Sequence, residues 1–158
     1  MHLTELINPE RVRCAVDAAS KKRSLEELSH LIADGDAELD SHEVFESLIA
    51  REKLGSTGLG KGIAIPHGRL KAADKTLAAF LQLKEGVDFD APDGQPVDLL
   101  CALLVPPEST EEHLEVLAEL TELFRDESLR SSLRQAATAE DLHRLLMEHA
   151  KKLQNRNN

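Results

Sequence analysis

Val97-Asp-Leu-Leu-Cys-Ala-Leu-Leu-Val105 is apolar at every position but Asp98. A strand with apolar side chains pointing both ways has no solvent side. The run therefore predicts a central strand covered on both faces, ended by Pro106-Pro107. Upstream, Thr76 to Leu83 reads as a second apolar strand, joined to the first by a polar connection from Gly86 to Gly94. A shorter strand, Ile63 to Ile65, is expected to end near Pro66, which lacks a ladder donor.

Helical spacing lies on either side of these strands. Ser20 opens a pattern with Leu25, Leu28, Leu31 and Ile32 on one face and Gly35 as its stop. Ser41 begins a second, with Val44, Phe45, Leu48 and Ile49 inward and Arg51 at its C-terminal end. After the central strand, Ser109 and Glu112 have capping-box spacing. Leu114, Leu117, Leu120 and Phe124 form the expected buried stripe of that helix. Two further helices are expected near Glu127 to Arg134 and Ala139 to His149, before a polar, frayed tail over 151–158. Helices before and after a few apolar strands indicate one α/β domain, residues 1–150, with its sheet covered by helices. This pattern leaves the strand order open.

Composition narrows the function. The chain has 158 residues, enough for one domain that buries roughly two-thirds of its unfolded surface. Nineteen Lys and Arg against 29 Asp and Glu give a net charge of -10, which repels nucleic-acid phosphates and anionic lipid. There is no Trp or Tyr to stack on bases. No apolar run approaches the roughly 20 residues of a membrane helix, and the N-terminus lacks a signal-peptide pattern, so a cytoplasmic location is expected. Cys14 and Cys101 fit no zinc or redox spacing; Cys101 reads as a buried small hydrophobe, and a disulfide between the two stays open.

Five of the eight glycines fall between Gly55 and Gly68. Gly58-Leu-Gly60-Lys-Gly62 matches neither the P-loop nor the dinucleotide fingerprint, and Ser56 and Thr57 are not in a nucleophile elbow. His67 is expected in a turn just past the Ile63–Ile65 strand, between Pro66 and Gly68. Neutral imidazole is a good nucleophile, and glycine neighbours admit another molecule closely. His113, at a helix start, points toward the buried stripe, where a helix N-terminus favours anions. Arg51 can clamp phosphate oxygens, and Arg69 shares the His67 segment. Each has a plain alternative: a solvated turn histidine, a half-buried helix-start histidine, a dipole-complementing arginine and a solvated turn charge. The other five histidines read as surface or helix-end residues.

The stretch Arg51-Glu-Lys-Leu-Gly-Ser-Thr-Gly-Leu-Gly-Lys-Gly-Ile-Ala-Ile-Pro-His-Gly-Arg69 resembles the active-site signature of the mannitol/fructose-type enzyme IIA domains of the phosphoenolpyruvate-dependent phosphotransferase system. Gly62, Ala64, Ile65, Pro66 and His67 match its GxAIPH pattern. Val87 to Val97, the Leu-Leu-Val-Pro ending at Pro106, and Glu112-His-Leu114 extend the likeness. Within the family, Ser20 to Leu28 and Leu54-Gly-Ser-Thr-Gly58 are similar to the stand-alone, nitrogen-related branch.

The resemblance implies a mixed sheet of about five strands flanked by helices on both faces. It implies phosphoryl acceptance by His67 from an HPr-like carrier, with His113 and Arg51 holding the phosphoryl oxygens. Arg69, Ser56 and Thr57 are candidate aids. It favours the ring nitrogen farther from the backbone as the attacking atom, the other being held by a backbone carbonyl. No metal or nucleotide cofactor is expected, because the donor is already a phosphoramidate. The implied partners are regulated proteins such as potassium transport or sensor proteins. The rival readings are a sugar-specific enzyme IIA serving a fructose or mannitol enzyme IIB, and a binding module that is not phosphorylated.

Overall fold

The computed structural model describes residues 2–108 and 110–156, and places the apolar run at the hub of a mixed, six-stranded sheet. The strands are β1 (Val12–Val16), β2 (Gly58–Gly60), β3 (Ile63–Ala64), β4 (His67–Arg69), β5 (Leu77–Val87) and β6 (Val97–Val105). The helices are α1 (Leu3–Leu6), α2 (Lys21–Ala33), α3 (Ser41–Glu52), α4 (Thr110–Leu123), α5 (Glu127–Gln135) and α6 (Ala139–Arg156). The order is β1-β5-β6-β3-β2, with β4 also paired to β6. β5 and β6 are antiparallel, whereas β1 runs parallel to β5, and β3 and β4 run parallel to β6.

The nearly continuous hydrophobicity of β6 has the expected cause. Leu99, Cys101 and Leu103 enter a core built with α1, α4, α5 and α6, while Leu100, Ala102 and Leu104 enter a second core under α2 and α3. Ala78 and Phe80 of β5 share the first core, and Ala79 and Leu81 share the second. Ser20 caps α2 through its side chain, accepting from the Arg23 amide at 3.0 Å, and Asp40 caps α3 in the same way from His42.

Several expectations need correction. His67 lies on a strand, not in a turn. Pro66 has no amide proton to give, but its carbonyl accepts from the Leu103 amide at 2.9 Å, so pairing with β6 pauses and resumes at His67. β5 continues through Gly86 to Val87, which pairs with Val97, so the polar connection is shorter than expected. The inward series is His113, Val116 and Leu120 of α4 and Phe124 just past its end; Leu117 is half-buried and Leu114 is 61% exposed. The stripe is set by the His113 face, and Leu114 falls one residue round the helix from it. The residues over 151–156 are helical, not frayed: Leu153, 4% exposed, continues the stripe of Leu142, Leu146 and Ala150 into the core. The expected capping role of Ser109 lies outside the described residues. Cys14 and Cys101 are both free, and burial pushes the Cys101 thiol up to about 12.

β1 was not foreseen, because only Val12 of its five residues is fully buried. Its pairing with β5 is interrupted at Ala15 (φ 54°), whose amide donates to the Gln82 side chain at 2.8 Å. The Gln82 amide group donates in turn to the carbonyls of Leu133 and Ala136, tying this bulge to the end of α5. Among the described residues, no helix is long and apolar enough to cross a membrane.

Candidate active site

The glycine-rich stretch serves geometry. Gly60, Lys61 and Gly62 all have positive φ (91°, 61° and 81°), which closes the tight β2–β3 hairpin. The hairpin and the break at Pro66 deliver His67 beside β6, directly under the C-terminal half of α3. Helix and strand meet at Gly68: a Cβ there would sit 2.6 Å from Ser47 Oγ and 2.9 Å from the Ser47 backbone. Only glycine lets α3 come this close, and α3 carries Arg51.

At that crossing, Arg51 Nε donates to His67 Nε2 at 3.2 Å, and Arg51 Nη1 donates to the Gly55 carbonyl at 2.8 Å. The other ring nitrogen, Nδ1, is 2.9 Å from the Ile65 carbonyl. A carbonyl can only accept, so Nδ1 carries the proton and Nε2 presents its lone pair. Burial lowers the basicity of His67, and the Arg51 and Arg69 cations lower it further; the Ile65 carbonyl and the Glu52 carboxylate act the other way. The neutral imidazole is thereby favoured.

His113 enters from the first turns of α4. Its ring centre is 5.1 Å from that of His67, with the planes tilted by 53°. It is 7% exposed, and its Nδ1 is buried without a hydrogen-bond partner. Burial, followed by the fields of His67 and Arg69, lowers its pKa to about 4, so it too is neutral near pH 7. Thus the structure brings His67, His113 and Arg51 together from β4, α4 and α3. Such a group offers a nucleophilic nitrogen, a fixed cation and an uncommitted imidazole at one point.

The candidate aids behave differently. Arg69 Nη1 donates to the Pro107 carbonyl at 2.8 Å, while its charge reaches both histidines. The Ser56 hydroxyl donates to the Phe89 carbonyl at 2.7 Å, and that of Thr57 donates to the Glu52 carboxylate at 2.7 Å. Both hydroxyl protons are engaged by partners within the protein. Sequence reading missed Glu52. A signal was available: a carboxylate in the last turn of a helix opposes the helix dipole and needs a reason to be there. Among the described residues, no cluster of three or more His, Cys, Asp or Glu side chains is arranged to hold a metal ion.

The chain is similar to known proteins along most of its length. Residues 5–149 match the family described as phosphoenolpyruvate-dependent sugar phosphotransferase system, EIIA 2. A nitrogen regulatory protein of Pseudomonas aeruginosa is 47% identical over 148 residues, covering 94% of this chain and 96% of the relative. The crystal structure of nitrogen regulatory protein IIA-Ntr from Neisseria meningitidis superposes with a TM-score of 0.86 at 44% identity, covering 91% of this chain and 98% of that one. The IIA mannitol protein of Escherichia coli follows with a TM-score of 0.74 at 27% identity, covering 89% and 98%. Family match, sequence identity and fold converge, and the chain belongs to the EIIA 2 family of the phosphoenolpyruvate-dependent sugar phosphotransferase system.

Proposed function

We propose that His67 accepts a phosphoryl group on Nε2 from the phosphohistidine of an HPr-like carrier, and that its phosphorylation state signals to partner proteins in the cytoplasm. The observation that carries this reading is the pairing of Arg51 Nε with His67 Nε2 while Ile65 holds Nδ1. The nucleophilic lone pair already faces the cation that would meet the incoming charge.

In the transfer, the Nε2 lone pair attacks phosphorus as the donor's P–N bond breaks, and that bonding pair returns to the donor ring nitrogen. The proton stays on Nδ1, hydrogen-bonded to the Ile65 carbonyl. Little covalent work falls to the protein, so positioning and charge dominate. Arg51 exchanges its imidazole contact for phosphoryl oxygens, and His113 supplies a further hydrogen bond from its uncommitted ring. Arg69 adds long-range charge. The product carries between one and two more negative charges and several acceptor oxygens at the surface of the site, enough for a partner to distinguish the two forms.

The regulatory reading draws on the nitrogen regulatory relatives; regulated partners such as potassium transport or sensor proteins belong to it. A second reading, a sugar-specific enzyme IIA that serves a fructose or mannitol enzyme IIB, draws on the likeness to IIA mannitol. The test is phosphate uptake from phosphoenolpyruvate with enzyme I and HPr-type carriers, comparing wild type with His67→Ala. Acid-labile phosphate in the wild type alone supports the reading. No uptake by folded wild type from a range of donors favours a binding module. Rapid onward transfer to a mannitol or fructose enzyme IIB favours the sugar reading.

A further inference from the structure

Beside Arg51 lies a buried charge that the transfer chemistry does not itself require. The Glu52 side chain is 3% exposed. Its carboxylate accepts from the Thr57 amide at 2.9 Å and the Thr57 hydroxyl at 2.7 Å, and it lies 3.0 Å from Lys21 Nζ. Lys21 in turn sits 4.7 Å above the centre of the Phe89 ring and contacts the Phe89 carbonyl, which also receives the Ser56 hydroxyl. Stability is a poor explanation for such a pair. A buried ion pair often gains little over apolar packing, and this carboxylate also faces the unfavourable end of the α3 dipole.

The contacts of Glu52 lead to both halves of the site. Its backbone carbonyl receives the Gly55 amide at 3.1 Å, and the Gly55 carbonyl holds Arg51 Nη1. Its side chain fixes Thr57, whose carbonyl accepts from the Ile65 amide at 3.1 Å, and the Ile65 carbonyl holds His67 Nδ1. One residue thus anchors the loop that orients the arginine and the backbone that orients the imidazole.

We propose that Glu52, through Thr57 and Lys21, is a positioning residue that sets Arg51 against His67 Nε2 for phosphoryl transfer. This rests on the phosphocarrier reading above. Glu52 touches no reacting atom and is sealed from any donor, so its loss acts on the transfer step and not on docking. The charged or titratable groups acting on His67 are Arg51, Arg69, Glu52 and His113; of these only Glu52 adds negative charge.

The experiment uses the full chain with Glu52→Gln, Thr57→Val and Thr57→Ser. Nitrogen NMR of the unphosphorylated protein reads the His67 tautomer, its titration and the Nε2 resonance. Transfer kinetics from phosphorylated HPr-type carrier read kcat and KM. Glu52→Gln and Thr57→Val are expected to lower kcat by about 10- to 100-fold, the cost of a small misplacement, with donor KM unchanged within about 2-fold. Both shift the Nε2 resonance, Glu52→Gln makes His67 less basic, and Thr57→Ser recovers most of the lost rate. Should Glu52→Gln not fold, Thr57→Val decides, since it keeps the ion pair. Variants that melt earlier but keep wild-type kcat and His67 resonances overturn the inference and leave the phosphocarrier reading standing. Wild-type protein that takes up no phosphate overturns that reading instead, and the NMR arm, which needs no donor, shows the difference.

Discussion

The two histidines of the site are held in opposite ways. His67 stands on β4 with both ring nitrogens engaged, one on the Ile65 carbonyl and one on Arg51. His113 stands at the start of α4 with its Nδ1 buried and unpartnered. An unmet buried polar atom costs about 1–3 kcal/mol, so it asks for an explanation. His143 on α6 has an unpartnered buried Nε2 as well, so an unmet need does not by itself define a site. What sets His113 apart is a second imidazole 5.1 Å away and the charge of Arg69. The contrast teaches a division of labour. In the proposed transfer, the ring that attacks is the one locked in one tautomer by the backbone, and the ring that receives oxygen atoms is the one left uncommitted.

This contrast can be broken or sharpened by substitution. The largest effect is expected from His67→Ala: no acid-labile phosphate after incubation with phosphoenolpyruvate, enzyme I and an HPr-type carrier, in a protein whose melting profile is kept. Arg51→Lys comes next. A single ammonium cannot both donate to Nε2 and reach the Gly55 carbonyl in the guanidinium geometry, so transfer slows by about 100-fold in single-turnover kinetics. Gly68→Ala forces β4 and α3 apart at Ser47, costing about 1–3 kcal/mol in urea denaturation and weakening the Arg51–His67 contact seen by NMR.

His113→Gln has the mildest effect on rate, about 10-fold, the worth of one charge-assisted hydrogen bond. It also changes the pH dependence of stability. Folded His113 titrates at about 4 and the unfolded residue at about 6.5. Above about 6.5 both states are neutral, and the contribution of the depressed pKa is complete. As pH falls from about 6.5 to about 4 the unfolded chain takes the proton first, so stability declines. His113→Gln removes that part of the decline, measured as the denaturation midpoint between pH 7 and 4. An unchanged slope would place the His113 ring in water and undo the comparison.

Much of this protein was legible in its residues. The run Val97 to Val105 announced a strand covered on both faces, because alternate side chains of a strand point opposite ways and all but Asp98 are apolar. The cap at Ser20, the extent of α3 and the identity of His67, His113 and Arg51 as candidates also followed from local pattern and resemblance. Elements whose burial is incomplete or whose partners are remote were less legible. β1 has little pattern of its own and exists because β5 offers it an edge. The end of α6 is decided by Leu153 finding the core. The inward face of α4 is decided by the sheet, which takes His113 and Val116 and leaves Leu114 in water.

The same division runs through the site. Local sequence determined which chemistry was available: an imidazole after Pro66, an arginine at a helix end and a second imidazole at a helix start. Tertiary structure alone decided that these three meet, that Arg51 faces His67 Nε2, and that the Ser56 and Thr57 hydroxyls bond within the protein. The physical reason is range. Capping, hydrophobic alternation and the missing proline donor act between near neighbours, and so they are written in order along the chain. A tautomer, a depressed pKa or an unpartnered nitrogen depends on what packing brings within a few ångströms from distant parts of the chain.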